Sequence, residues 1–245
     1  MAGERGECKA DSTARVFRHR IEVGEEIELI PSHLFYLSGC DLRCAFCIAE
    51  ERAFNPLIGV PLTADFLQDS IDWGSARGAR NLQWVGGEPT IHLPAVLEAM
   101  AACERLPPII WKSDFHGSKA AFELLDGIVN IYVADFKFGN DQCAKQIAGI
   151  ANYTQVVTRN LRLVTSHPAD LIVRHLLLPG HWECCFRPIV RWMQTHLPEI
   201  KFSIRDGYLP RWQAHRDPKL GRYLPIGAGD DARSFAAAAG LRVIQ

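Results

Sequence analysis

Apolar runs alternate with amphipathic stretches about six times along this chain, and that alternation limits the possible folds more than any other feature. The apolar runs read as strands at residues 32–37, 81–85, 108–112, 128–136, 171–178 and 201–204. The stretches between them, 64–76, 93–105, 118–125, 153–166 and 183–196, read as helices, with another over 232–239. Thr63 and Ser118 stand where helix N-caps are expected. Strand–helix alternation of this kind argues for a parallel sheet with crossover helices. Periodicity alone leaves a closed barrel, an open sheet and a doubly wound sheet equally available. The 245 residues suit one large α/β domain. Residues 1–25 are charged and weakly patterned and are expected to be an N-terminal extension. Residues 26–245 are then the core domain, with a C-terminal loop and helix covering it.

A net charge of −1 gives no electrostatic case for a nucleic-acid partner or an anionic membrane surface. No run of eighteen apolar residues is present, and Met-Ala-Gly-Glu-Arg-Gly-Glu is too polar to open a signal peptide, so the expected location is cytoplasmic. Eight cysteines could build disulfides, but Cys8, Cys103, Cys143, Cys184 and Cys185 show no framework spacing.

The remaining three, Cys40, Cys44 and Cys47, lie in Leu-Ser-Gly-Cys-Asp-Leu-Arg-Cys-Ala-Phe-Cys, directly after the first expected strand. Three thiolates so close can hold three irons of a cubane and leave the fourth without a protein ligand. An open metal position is a place for chemistry. A zinc module is the competing reading, but it favours paired Cys-x2-Cys spacing and a fourth ligand, and neither is evident.

Cys-x3-Cys-x2-Cys with Phe46 before the last cysteine resembles the radical S-adenosylmethionine (SAM) superfamily. The resemblance implies a partial (β/α)6 TIM-like barrel with a [4Fe-4S] cluster on the loop after the first strand. SAM chelates the open iron, and its reductive cleavage yields a 5'-deoxyadenosyl radical that abstracts hydrogen from a substrate. Active sites of parallel barrels lie at the C-terminal ends of the strands, and the remaining motifs fall there. The second expected strand ends in Gly86-Gly87-Glu88-Pro89-Thr90, where two glycines permit close backbone approach. This resembles the family's Gly-Gly-Glu motif, which meets the SAM amino group.

The later strands end in Trp111-Lys112-Ser113-Asp114, Asp135-Phe136-Lys137 and Arg174-His175-Leu-Leu-Leu-Pro179-Gly180. Charges in apolar strands are costly unless paired or used, and a structural ion-pair network is compatible with a functional role. Together these segments resemble the branch containing pyruvate formate-lyase activating enzyme, and its uncharacterised relatives still more closely. That places Lys112, Ser113, Asp135, Lys137 and Arg174 around SAM and the substrate entry. Activating enzymes carry an acidic residue after the third strand that helps hold a monovalent cation beside SAM. Lys112 aligns with it, and its ammonium is expected to replace that ion. The relatives' cysteine-rich N-terminal segment is reduced here to Cys8, which argues against a metal site there.

Cys184 and Cys185 follow Pro179-Gly180-His181-Trp182-Glu183. The ordinary reading is two helical side chains pointing apart. The functional reading takes Cys184 and His181 as catalytic candidates, a thiol acting as hydrogen-atom donor, substrate anchor or ligand of a second metal. No second iron–sulfur cluster is expected from these two with Cys103 and Cys143. Residues 205–212 read as a substrate-covering loop, and His92 and His215 as packing or surface residues.

The function these features imply is a radical SAM oxidoreductase, in the first instance an activating enzyme that forms a glycyl radical on a partner protein. Modification of a small molecule or peptide is the alternative within that class. A non-catalytic iron–sulfur redox sensor is the alternative outside it. The partners implied are a one-electron reductant such as flavodoxin or ferredoxin and a glycyl-radical enzyme, with no nucleic acid and no membrane.

Overall fold

The computed structural model describes residues 8–244. They fall into two compact units. The first comprises the described residues up to Asp41 with Ala49–Ser113 and Leu124–Tyr132. The second comprises Leu42–Ile48, Asp114–Glu123 and the chain from Val133.

In the first unit, β1 (Arg15–Glu22) runs antiparallel to β2 (Ser32–Leu37). The short helix α1 (Glu51–Phe54) precedes β3 (Val60–Pro61), which pairs antiparallel with the start of β1. Helix α2 (Ala64–Ser75) opens on Thr63, whose Oγ1 accepts from the Phe66 N–H at 3.2 Å. Strand β4 (Leu82–Gly86), helix α3 (Leu93–Ala101) and strand β5 (Ile109–Ser113) follow. Parallel pairing sets Phe35 beside Trp84 and Trp84 beside Trp111, in the order β3-β1-β2-β4-β5. These three rings are buried and form one row of the core. The Trp84 indole donates to Met100 Sδ of α3 at 3.3 Å. β2 is buried on both faces, as strands in parallel sheets are.

Helix α4 (Lys119–Leu124), whose first turn is capped by Ser118 Oγ at 3.1 Å from the Ala121 nitrogen, and strand β6 (Ile131–Asp135) each run through a unit boundary. The second unit continues with α5 (Asp141–Ala148), α6 (Tyr153–Val164) and β7 (Asp170–Leu176). A π-helical turn at Trp182–Phe186 leads into α7 (Arg187–His196), and β8 (Lys201–Arg205), α8 (Ala228–Ala238) and β9 (Val243–Ile244) complete the unit. β7, β8 and β9 are parallel neighbours, with Val173 beside Phe202 and Phe202 beside Val243.

All six strands read from the sequence are present within a few residues of their expected ends. β1, β3, β9, α1 and α5 are additional, and β1 lies inside the segment expected to be an extension. The expected helix 183–196 is a π-helical turn followed by α7.

Each unit holds a buried imidazole whose pKa is lowered to about 4. His33 lies against Phe35 and Trp73, and desolvation, reinforced by His19, lowers its pKa to about 4. His175 is lowered to about 4 by burial, against which its hydrogen bond to the Phe136 carbonyl acts only partly. In the unfolded chain a histidine titrates near about 6.5. Between that value and the folded one the unfolded state binds protons that the native state does not. Stability is therefore full above about pH 6.5 and falls as the pH drops toward 4, by up to about 3 kcal/mol per histidine. Urea titrations from pH 7.5 to 4 should show this loss, reduced in His33→Gln/His175→Gln; equal slopes for both proteins would refute it.

Candidate active site

The Gly86–Glu88 segment leaves the end of β4 stitched to the residues that run into Cys40. Gly87 N–H donates to the Leu37 carbonyl at 2.7 Å and Glu88 N–H to the Gly39 carbonyl at 2.8 Å. Gly86 has a φ of 126°, and a Cβ there would overlap the β2 backbone at Leu37. A Cβ at Gly87 would overlap the Gly39 carbonyl. Both glycines are thus required by the close approach of two chains. Glu88 is 2% exposed, and its Oε1 accepts from the Thr90 N–H at 2.9 Å and from Ser113 Oγ at 2.8 Å. Thr90 Oγ1 in turn accepts from the Trp111 indole at 3.1 Å. Two expected SAM contacts, Glu88 and Ser113, are therefore in direct contact.

Lys112 leaves β5 on the opposite face from Ser113, because successive strand residues alternate. Its Nζ lies 2.6 Å from Glu25 Oε2, with side-chain exposures of 7% and 14%. Gln83 Nε2 reaches the same Glu25 oxygen at 3.4 Å. Removing one partner of a buried ion pair strands the other charge, so Lys112→Met should destabilise the protein by about 3–5 kcal/mol. Lys112→Met/Glu25→Gln should recover much of that in urea unfolding. A single variant as stable as wild type would show that the pair carries little.

In the second unit, the loop bearing Cys44 and Cys47 is held by its own backbone. Arg43 N–H donates to the Ala148 carbonyl at 2.9 Å and Ala45 N–H to that of Ile147 at 2.8 Å, both at the end of α5. The Ala45 carbonyl accepts from Gln213 N–H at 2.8 Å, and Cys47 N–H donates to the Cys44 carbonyl at 3.0 Å. Phe46 packs 6.4 Å from Phe138 and 6.0 Å from Tyr208. Within the expected covering loop, Tyr208 is buried and its hydroxyl donates to the Leu220 carbonyl at 2.6 Å, so this loop and the cysteine loop pack together. Cys40 and Cys44 are buried, Cys47 is half-buried, and none of the three is in a disulfide.

Asp135 joins the two cations expected beside it. Its Oδ2 lies 2.6 Å from Lys137 Nζ and its Oδ1 2.7 Å from Arg174 Nε. Burial works to lower the Lys137 pKa, but Asp135, Cys44 and Asp114 outweigh it and raise it above its ordinary value, so the ammonium stays charged. The trio carries a net positive charge. The Lys137 backbone N–H donates to the Tyr153 hydroxyl at 2.7 Å, which fixes the segment after β6.

His92 is a packing residue, with Nε2 2.7 Å from the Ser38 carbonyl, and His215 is exposed. Cys184 and Cys185 do not point apart. Their thiols lie with that of Cys143 and the His181 imidazole in one group whose donor atoms are all within 4.8 Å of one another. Cys143 was not among the expected site residues, and 38 residues separate it from His181. Burial, the largest influence, raises the Cys185 thiol pKa well above its ordinary value.

A sequence profile of the radical SAM superfamily matches residues 34–193, well over half of the chain. The chain belongs to the radical SAM superfamily. An uncharacterised protein of Methanocaldococcus jannaschii is 29% identical over 233 residues, covering 90% of this chain and 66% of that protein. SuiB of Streptococcus suis has been solved bound to S-adenosylmethionine (TM-score 0.62, 14% identity, 81% of this chain and 44% of SuiB). It has also been solved bound to its precursor peptide SuiA (TM-score 0.61, 14% identity, 83% and 46%). QueE of Escherichia coli matches over 99% of this chain and 98% of its own (TM-score 0.55, 13% identity). The chain thus spans just under two thirds of the Methanocaldococcus relative and under half of SuiB. Among the described residues the fold is mixed α/β with nine strands, and with these radical SAM neighbours it agrees with the expected partial TIM-like barrel.

Radical SAM proteins use a [4Fe-4S] cluster and SAM and draw on a one-electron reductant. The residues present suit both groups. Three thiols in one motif, none of them in a disulfide, match a cluster that leaves one iron open, and Gly86 and Gly87 are half-exposed beside the buried Glu88. Among the described residues no helix is long and apolar enough to cross a membrane.

Proposed function

We propose that this radical SAM chain cleaves SAM reductively and removes hydrogen from a substrate, the first candidate being a glycine Cα of a partner protein, as activating enzymes do. The observation that carries this reading is the pair of backbone hydrogen bonds joining Gly87 and Glu88 to Leu37 and Gly39, the residues that lead into Cys40. It couples the expected SAM-amine motif to the cysteine motif. Cys40, Cys44 and Cys47 would hold the cluster, and Gly86, Gly87 and Glu88 the amino group of SAM. When bound, the cluster and SAM would supply the one-electron cleavage that makes the 5'-deoxyadenosyl radical.

The protein's part is to position and to set charge. Glu88 is held by Thr90 and Ser113, so its carboxylate is fixed before any ligand arrives. Asp135 orients Lys137 and Arg174, whose net positive charge suits a carboxylate group. Lys112, in contact with Glu25, is the interior cation that would stand where activating enzymes hold a monovalent ion. The reductant would be a flavodoxin or ferredoxin, and the setting the cytoplasm.

Peptide modification is the second reading, supported by the fold shared with SuiB, which was solved with a precursor peptide. The deciding experiment is anaerobic reconstitution followed by incubation with dithionite and SAM. Formation of 5'-deoxyadenosine supports the enzyme readings. A correctly loaded protein that binds SAM but never cleaves it, with or without reductant, would turn the reading toward a redox sensor.

A further inference from the structure

Cys143, His181, Cys184 and Cys185 lie outside the cluster and SAM motifs, yet they converge within the second unit. His181 Nδ1 lies 3.2 Å from Cys184 Sγ and 3.7 Å from Cys143 Sγ. The thiols of Cys184 and Cys185 both lie within 4.8 Å of that of Cys143. Cys143, His181 and Cys185 are buried, and Cys184 is half-buried.

We propose that these four side chains form a closed tetrahedral Cys3His site for a single thiophilic divalent cation, zinc being the metal it suits best. A Zn–S bond of about 2.3 Å places neighbouring donors of a tetrahedron about 3.8 Å apart, which the 3.2 and 3.7 Å distances and the 4.8 Å limit of this group can accommodate. The four thiolates of a cubane each sit on a different iron and spread to about 6 Å or more, too wide for this group. Three sulfurs and one nitrogen fill the coordination shell, so the site is structural and not catalytic. It takes Cys184 and His181 as ligands and not as the hydrogen-atom donor and its neighbour.

The backbone is shaped to bring the donors together. In an α-helix, adjacent side chains diverge by about 100°. The π-helical turn, with Phe186 N–H donating to the His181 carbonyl at 3.2 Å, lets Cys184 and Cys185 face one centre instead. The opposing segment can approach because residue 139 is glycine: a Cβ there would overlap the Cys185 carbonyl. Asn140 then acts twice. Its Oδ1 caps α5 at the Cys143 N–H (2.8 Å), and its Nδ2 donates to the Cys184 carbonyl at 2.6 Å and to Cys143 Sγ at 3.3 Å. An N–H donor to a ligating sulfur is the outer-shell support expected of a metal site. The ligands come from the segments after β6 and β7, so the metal would staple the two stretches that carry Lys137 and follow Arg174.

Metal analysis of the full chain, purified anaerobically and loaded with iron and sulfide, tests this independently of SAM cleavage. The expected result is about one zinc per chain in addition to iron, with a zinc-edge X-ray absorption spectrum of three sulfurs and one nitrogen. Cys143→Ser and Cys185→Ser should lose the zinc while keeping the iron. If those variants do not fold, Co2+ exchanged into the wild type decides, through the intense visible bands of a tetrahedral thiolate site. Folded wild type that holds less than about a tenth of a zinc per chain and gives no such cobalt bands overturns the proposal. So does a disulfide among the three cysteines, or iron and sulfide bound at this site in a Cys40→Ala/Cys44→Ala/Cys47→Ala chain. Failure to bind zinc or cobalt together with normal SAM cleavage would sink this site and leave the radical SAM reading intact.

Discussion

Cys44→Ala should abolish 5'-deoxyadenosine formation while leaving the fold unchanged. The residue is buried, and its loop is tied by backbone hydrogen bonds of Arg43, Ala45 and Cys47 that a change of the Cys44 side chain does not remove. Alanine keeps those hydrogen bonds and removes a single sulfur donor. Disturbing an outer-shell partner of a metal ligand already costs about 10–100-fold, so loss of a direct ligand should cost more than about 100-fold in SAM cleavage. Far-UV circular dichroism of the variant should match the wild type, and chromatographic assay should find no 5'-deoxyadenosine above background. Activity within tenfold of the wild type would remove Cys44 from the ligand set.

Gly87→Ala is the second large effect, and it acts through the backbone and not through a titratable side chain. The added methyl group would overlap the Gly39 carbonyl, and both partners are backbone, so no flexible side chain can yield. Overpacking of this kind costs about 1–3 kcal/mol, or a fall of roughly 3–10 °C in Tm for a chain of this size. Relief requires that the segment leading into Cys40 separate from Gly86–Glu88, so SAM cleavage should fall by at least tenfold as well. Gly24→Ala is the control, since a Cβ there meets nothing within 4 Å. It should leave Tm and turnover as they are. A Gly87→Ala protein with unchanged Tm and cleavage would mean that the close approach is not needed.

The parallel strands were legible because their runs are apolar on both faces, as in Ser32–Leu37 and Ile109–Ser113. β1 was not, because Arg18, Arg20 and Glu22 alternate with half-exposed neighbours and give it the look of a solvated tail. Its identity as a strand comes from pairing with β2, which is information distant in the chain. α5 is different, since its signals were local: Asn140 at the N-cap and Gly149 in the left-handed conformation at the end. The glycine–glutamate motif and the three cysteines could be read directly from spacing. The Cys143 group could not. Its donors come from two distant segments, and the π-helical turn breaks the helical period on which any reading of Cys184 and Cys185 depends. The pairing of Lys112 with Glu25 was hidden for the same reason, as 87 residues separate the two.

The arrangement of β3, β1 and β2 bears on how a polypeptide could be captured. The outermost strand, β3, is two residues long and ends in Pro61, which has no N–H to offer. It pairs only with Arg15 and Val16, and the stretch of β1 beyond it carries Arg18, Arg20 and Glu22. Charge, shortness and proline are the devices by which sheets refuse an incoming strand. A peptide or protein substrate would therefore gain no extended backbone ladder along this side of the first unit. Along this side, recognition would rest on side-chain contacts and not on the substrate's readiness to form a strand.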